Sequence, residues 1–219
     1  MIFDVHSHWG TTRGYPFQTP EELAQQEKVF KSKPRYHTEQ EMADHFRAHE
    51  ARVILDLGVR EPAPAAEVTA LHDYAFATQQ QYSDAIFGNW LHVDPRAGRD
   101  AVGELDRCLR VGRGFVGLGV PGAGFNVPAN DRSYAPLYRL CIDAGVPALI
   151  MVGYTGLGAG RPGGAGVRLD ASHPRHLDDV AATYPELKIV ASRPAWPWQT
   201  EMIAILLHKP NVVYEVHGW

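Results

Sequence analysis

The chain has 219 residues and a formal net charge of −4, with 45% hydrophobic and 21% charged residues. This balance is typical of one globular domain over residues 1–219, and it excludes the basic surface that nucleic acid requires. Because a membrane span, the apolar core of a signal peptide and a disulfide framework are all lacking, we expect a cytoplasmic protein.

Seven apolar segments of strand length recur along the chain, bounded by glycine, proline or charged residues. They predict strands over Met1–Val5, Val53–Leu57, Ile86–His92, Phe115–Val120, Pro147–Val152, Lys188–Ala191 and Val212–Val216. Because the segments are continuously apolar and do not alternate, they are typical of parallel strands buried on both faces.

Helical patterns separate these strands. Helices are predicted over Glu39–His49, Ala65–Tyr82, Arg99–Val111, Tyr134–Ala144, Pro174–Tyr184 and Trp198–Leu207. Thr38 and Glu41 form a capping box before the first helix, and Gly145 follows the fourth. Two further segments, Gly10–Lys33 and the glycine-rich Gly153–Ser172, are predicted to be long loops that are either functional lids or disordered.

The regular alternation of strands and helices predicts an α/β fold of the (β/α)8 TIM-barrel type. Seven strands are counted, so either the last βα unit is missing from this chain or the sheet is open. A seven-stranded product leaves an uncovered edge, and we therefore expect a homodimer in which a neighbour covers it.

Histidines stand at the ends of three predicted strands. His6 and His8 end the first strand and share one face, while His92 and His217 end the third and seventh. The carboxyl ends of barrel strands carry the functional side chains. Neutral imidazoles that hold a divalent metal allow it to acidify water and polarise a carbonyl group. The sequence therefore predicts a metal site at His6 and His8.

Five segments resemble the amidohydrolase-related enzymes of the amidohydrolase superfamily, in order along the whole chain. They are FDVHSHWG, GNWLHVDP, GVPALIMVG, HPRHLDDVAATYPELKIVASRPAWPW and KPNVVYEVHGW. The resemblance implies a metal-dependent barrel that breaks C–C or C–N bonds, as the decarboxylases of aminocarboxymuconate semialdehyde do. It assigns His6 and His8 as metal ligands. Where the family has histidines at the ends of strands five and six, this chain has Met151 and Arg193, and the family's final aspartate is absent.

These replacements change the expected site. Arg193 is predicted to bind the acid group of a substrate, because a guanidinium forms paired hydrogen bonds with a carboxylate. Met151, Trp196 and Trp198 are predicted to line the substrate pocket. His217 is predicted to take part in catalysis or to complete the metal shell, since two imidazoles rarely hold a catalytic metal.

The sequence thus predicts a zinc- or manganese-dependent hydrolase or decarboxylase of a small carboxylated substrate, with aromatic-derived acids among the candidates. One alternative is a metal-free ligand-binding protein or inactive relative. Another is a metal-independent lyase that uses His6 or His8 as its base. The glycines of VGRGFVGLGV lead into a strand and do not open a helix, so nucleotide binding is excluded.

Overall fold

The computed structural model describes residues 1–15, 19–58, 63–112 and 114–217. Within these ranges seven parallel strands form one sheet in chain order. They are β1 Ile2–His8, β2 Ala51–Asp56, β3 Ile86–Leu91, β4 Phe115–Val120, β5 Ala148–Met151, β6 Ile189–Ser192 and β7 Val212–Glu215. All seven predicted strands are confirmed, and their bounds shift by a few residues at most.

Helices connect the strands and cover the outer face of the sheet. In the described part of the chain they are α1 Pro20–Phe30, α2 Glu39–Ala48, α3 Ala65–Gln81, α4 Arg99–Arg110, α5 Ala135–Ala144, α6 Pro174–Thr183 and α7 Gln199–His208. The predicted capping box of Thr38 and Glu41 is present, and Gly145 ends α5 with a φ of 68°. None of the helices in these ranges has the length and apolarity to cross a membrane.

The prediction of a loop over Gly10–Lys33 is wrong for residues 20–30, which form α1, while residues 16–18 lie outside the described residues. The Thr19 hydroxyl accepts a hydrogen bond from the Glu22 backbone N–H, the Glu22 carboxylate accepts one from the Thr19 backbone N–H, and Pro20 occupies the first turn. Because α1 buries no residue, its sequence lacks the apolar periodicity that marks a packed helix.

The sheet curls so that its first and last strands approach each other. Trp90 on β3 donates its indole N–H to the carbonyl oxygen of Val5 on β1 at 2.9 Å. His6 on β1 lies 3.0 Å from the carboxylate of Glu215 on β7. This half-barrel of seven strands confirms the predicted TIM-type arrangement.

Two apolar layers lie on either side of the sheet. The larger fills the space between sheet and helices, and includes Leu105, Leu137 and Tyr134, all fully buried. The smaller lies inside the half-barrel and consists of Ile54, Trp90 and Leu149, with Val116 and Val190 against them. This inner layer closes the barrel interior beneath the carboxyl ends of the strands.

Side chains alternate along a strand, so residues two positions after the inner apolar layer face the same interior. They form the next layer towards the strand ends, which we call the rim layer, and they are Asp56, His92, Met151 and Ser192. All four are buried. The sequence thus changes from apolar to mostly polar within one step of two residues on several strands.

Apolar side chains remain exposed along β1 and β7. Ile2, Phe3 and Val213 are among them. The homodimer expected from the sequence stays a prediction. Cys108 in α4 and Cys141 in α5 are buried free thiols.

A buried carboxylate links α3 to α4 on the outside of the sheet. Glu104 accepts hydrogen bonds from His72 Nδ1 at 2.7 Å, from Thr69 Oγ1 at 3.0 Å and from Arg107 Nη2 at 2.8 Å. Burial alone raises the pKa of Glu104, but the hydrogen bonds from His72 and Arg107 outweigh it and hold the pKa well below its ordinary value. The charged form of Glu104 therefore stabilises the fold.

Replacing this carboxylate by an amide tests its contribution. We expect Glu104→Gln to lower the free energy of unfolding at neutral pH by about 1–3 kcal/mol, as loss of charge-assisted hydrogen bonds does. Because the folded pKa of Glu104 is depressed, this stabilisation is present above its ordinary pKa of 4.5 and is lost as the pH falls further. Urea unfolding of both proteins at about pH 7 and about pH 4 measures the effect. A difference that grows on acidification would contradict the assignment.

Candidate metal centre

His6 lies at an irregular point of the first strand. The ladder between β1 and β2 shifts register between Asp4 and Ser7, and the His6 N–H donates to Asp4 Oδ1 at 3.0 Å. Such irregularities change the direction of a side chain and are common beside active sites. Here the His6 side chain is buried next to the rim layer, where it contacts side chains of β2, β6 and β7.

The His6 ring lies between two carboxylates. Its Nε2 is 3.1 Å from Asp56 Oδ2 on β2, and its Nδ1 is 3.0 Å from Glu215 Oε1 on β7. Nδ1 also lies 2.9 Å from Ser192 Oγ on β6. One imidazole therefore joins both edges of the half-barrel through the groups at their strand ends.

The charges in this arrangement support one another. Burial lowers the pKa of His6, but the hydrogen bonds to Asp56 and Glu215 reverse the effect and raise it above its ordinary value. Burial raises the pKa of Asp56, yet the neighbouring His92 and His6 hold it well below its usual range. The pKa of Glu215 is likewise held low against burial, by hydrogen bonds from His217 and His6. Without a metal, the two carboxylates thus favour the protonated form of the His6 imidazole.

His8 and His217 complete a cluster of three imidazoles with His6. The ring centroids of His6 and His217 are 3.7 Å apart, and His8 lies 5.3 Å from His6 and 5.5 Å from His217. One nitrogen from each ring lies within 4.8 Å of the others. His217 Nδ1 contacts Glu215 at 2.7 and 2.8 Å, while its Nε2 is buried with no hydrogen-bond partner.

These donors fit a divalent metal. Three imidazoles beside a carboxylate match the nitrogen and oxygen ligands that zinc and manganese accept. The buried, unpartnered Nε2 of His217 is a ligand atom whose desolvation nothing in the described protein offsets. Glu215, which holds the other nitrogen of His217, orients that ring in the way that carboxylates commonly orient metal-bound histidines.

A fourth histidine lies beneath this cluster of three. His92 is fully buried, and its Nε2 lies 2.5 Å from Asp56 Oδ1. Gly119 on β4 makes room for the ring, because a Cβ at that position would lie 2.3 Å from His92 Nε2. The interior therefore contains a buried chain of contacts from His92 through Asp56 to His6.

Arg193 and His8 line the same cavity, which we call the His8 cavity. It has a volume of about 310 Å³ and opens next to the imidazole cluster. Arg193 directly follows β6 and adopts a φ of 80°, an unusual value for a residue with a side chain. The guanidinium and the exposed imidazole thus face one space in which a small molecule can contact both.

A wider cavity of about 670 Å³ adjoins the His8 cavity. The two cavities share a wall formed by Tyr15, Gln26, Phe30, Gly156 and Leu157. This wall comes from Tyr15 and α1 and from the glycine-rich segment after β5, and the two segments are joined where Gln25 Nε2 donates to Ala159 O at 2.8 Å. Both of the long segments predicted as lids or disordered loops therefore border the candidate site.

The structure places the other predicted site residues at different distances from the cluster. Met151 and Arg193 border a narrow space next to the His8 cavity. Trp198 packs on His173 with a ring-centroid distance of 4.5 Å, and Trp196 packs edge-on to Tyr154. Neither tryptophan is among the residues that line the cavities described above. Their role as a substrate wall stays a prediction.

Sequence reasoning assigned no role to Glu215, Asp56 or Ser192. Asp56 and Ser192 are visible in the sequence as polar residues at the ends of predicted strands. Each of the three residues lies two positions after an apolar residue of the same strand. A search for polar residues two positions after interior apolar ones would have found Asp56 and Ser192. The approach of β7 to β1 that brings Glu215 to His6 depends on the curl of the sheet.

Comparison with known proteins supports this description. The family model described as amidohydrolase matches residues 3–219. No curated protein matches the chain.

Three solved structures are similar at low identity. An uncharacterized TIM-barrel protein from Bordetella bronchiseptica has 17% identity and a TM-score of 0.66, with 97% of this chain and 74% of that one covered. A 5-carboxyvanillate decarboxylase from Novosphingobium aromaticivorans, complexed with manganese and 4-hydroxy-3-methoxy-5-nitrobenzoic acid, has 14% identity, a TM-score of 0.65 and coverages of 94% and 68%. A 4-oxalomesaconate hydratase from Rhodopseudomonas palustris has 15% identity and a TM-score of 0.61, with 98% of this chain and 73% of that one covered. At these identities the similarity establishes the barrel fold alone.

The space beside His92 can be tested with one methyl group. We expect Gly119→Ala to destabilise the protein by about 1–3 kcal/mol, because the methyl group overlaps the buried imidazole. Gly103→Ala is the matched control, since a Cβ there meets nothing within 4 Å and lies in the interior of α4. The control should gain about 0.5–1 kcal/mol from helix propensity. Thermal unfolding of both variants checks the opposite signs.

Proposed function

Because the chain belongs to the amidohydrolase family, we propose that it is a metal-dependent hydrolase or decarboxylase of a small carboxylated substrate. The observation that carries this proposal is the cluster of His6, His8 and His217 at the carboxyl ends of the strands, with a buried and unpartnered Nε2 on His217. Aromatic acids are among the candidate substrates. The bond broken is a C–C or a C–N bond next to the acid-bearing group.

His6, His8 and His217 would hold a zinc or manganese ion, with Glu215 beside them. When bound, such an ion lowers the pKa of a coordinated water and stabilises negative charge that develops on the substrate. The residues of the protein supply the rest. Glu215 orients the His217 ring, and the inner apolar layer around Trp90 excludes water from below.

Arg193 binds the acid group of the substrate. A guanidinium forms two parallel hydrogen bonds with a carboxylate, which fixes both the position and the orientation of the acid. Since Arg193 and His8 both border the His8 cavity, an acid held by Arg193 would lie in the same space as His8. Met151 contributes an apolar surface next to Arg193.

A metal-free ligand-binding protein is the second candidate, and a specific observation favours it. Both ring nitrogens of His6 already have partners in the protein, Asp56 on one side and Glu215 with Ser192 on the other. A metal at His6 has to displace one of these contacts. The two candidates share the cavity and the acid-binding role of Arg193, and they differ in whether a metal binds.

Metal content distinguishes the candidates. We expect protein purified without chelator, then given zinc or manganese, to retain about one equivalent of metal, because a catalytic site normally has three protein ligands. His8→Ala and His217→Ala should each weaken that affinity at least tenfold, whereas His49→Ala, at an exposed imidazole at the end of α2, should not. Elemental analysis after dialysis gives the stoichiometry. Retention far below one equivalent at saturating metal would reject the metal-dependent proposal in favour of the second candidate.

Acid recognition is tested separately. We expect Arg193→Met to weaken binding of benzoate-type acids by about tenfold or more, the size of a lost charge-assisted hydrogen bond. Binding of the corresponding uncharged amides should change little. Arg132→Met removes a guanidinium that lines none of the cavities described above and serves as the control. Isothermal titration with both ligand series measures the difference, and equal affinity of wild type and Arg193→Met for every acid would exclude the role.

A further inference from the structure

Asp56 has no role in the function proposed above, yet neighbouring groups hold both oxygens of its carboxylate in place. It is buried at the end of β2. Oδ1 accepts the N–H of Gly58 at 2.9 Å and lies 2.5 Å from His92 Nε2, while Oδ2 lies 3.1 Å from His6 Nε2. Contacts with three different residues therefore fix both oxygens.

His92 is held as firmly as Asp56. It follows Trp90 by two residues, so its ring lies directly above the inner apolar layer, and no part of it is exposed. Gly119 supplies the remaining space, because any larger residue would overlap the ring. His92 lines none of the cavities described above, and its close polar contact is with Asp56.

We propose that Asp56 and His92 are positioning residues for the metal ligand His6. Asp56 holds the N–H of His6 on Nε2, and His92 fixes the carboxylate of Asp56. The other ring nitrogen, Nδ1, lies 2.9 Å from Ser192 Oγ and 3.0 Å from Glu215 Oε1, and it is the nitrogen at which a metal would replace one of these contacts. This inference rests on the proposed function, since it requires His6 to be a ligand.

The chemistry of metal ligation explains why the Asp56 carboxylate is kept in this buried position beside His6. A buried ion pair contributes little net stability compared with apolar residues of the same shape, so stability alone is a weak reason for it. A carboxylate on the far nitrogen of a metal-bound histidine fixes the tautomer and strengthens the ligand, and its loss typically lowers metal affinity 10- to 100-fold. Asp56 has the position that this role requires.

Asp56→Asn tests the role with almost no change in shape. The new amide keeps an oxygen for the Gly58 N–H, but its NH₂ can face His6 Nε2 and favours the tautomer with the proton on Nδ1. We expect zinc affinity, measured by competition with a chromophoric chelator, to fall about 10- to 100-fold. The visible absorption spectrum of the cobalt-substituted protein should change as well, because the ligand set or its geometry changes.

Two further variants separate positioning from stability. His92→Gln, which removes the imidazole that fixes Asp56, should change affinity and spectrum in the same direction, and it carries the test if Asp56→Asn does not fold. Asp84→Asn removes a carboxylate that pairs with Arg47 at 2.7 Å before the start of β3, away from both possible metal groups, and is the control. It should lower stability while leaving zinc affinity and the cobalt spectrum unchanged.

The outcomes discriminate between this inference and the function on which it rests. If the wild type binds zinc, and Asp56→Asn and His92→Gln bind it with wild-type affinity and give an unchanged cobalt spectrum, the positioning role is wrong and the proposed function stands. If the wild type itself binds no zinc, the proposed function fails and the inference fails with it. Weakened binding in both variants, with the control unchanged, supports the role.

Discussion

The contact of His6 with two carboxylates is the interaction on which the rest of the site depends. One imidazole from β1 reaches Asp56 on β2 and Glu215 on β7, and so connects the two edges of a sheet that curls without a ladder between them in the described residues. Burying one cation between two anions offsets much of the desolvation that each charge would suffer alone. The polar rim layer is stable because these charges compensate one another.

Much of the architecture could be predicted from the sequence, because parallel strands buried on both faces produce continuous apolar runs. The predicted strands also gave the positions of the strand ends, and therefore placed His6, His8 and His217 at the carboxyl end of the barrel. α1 was missed, since a helix that buries nothing leaves no apolar period. Glu215 was missed for another reason: its partner His6 is 209 residues away, and only the curl of the sheet brings them together.

The replacements at the ends of β5 and β6 are consistent with the geometry around them. Where the sequence resemblance led us to expect histidines, Met151 and Arg193 border a narrow space, and Arg193 also lines the His8 cavity. The imidazoles instead gather on β1 and just after β7, with His217 adding a donor that the resemblance did not supply. The imidazole cluster and Arg193 thus occupy neighbouring positions at the carboxyl ends of the strands, which suits the substrate that we propose.

The hydrogen bond from Gln25 to the Ala159 carbonyl oxygen affects how the two segments that border the site can move. It couples the segment inserted after β1 to the one inserted after β5, although more than a hundred residues separate them along the chain. Displacing either segment alone breaks this hydrogen bond, whereas displacing both together keeps it. The bond therefore favours a joint movement of the two segments over the movement of either one by itself.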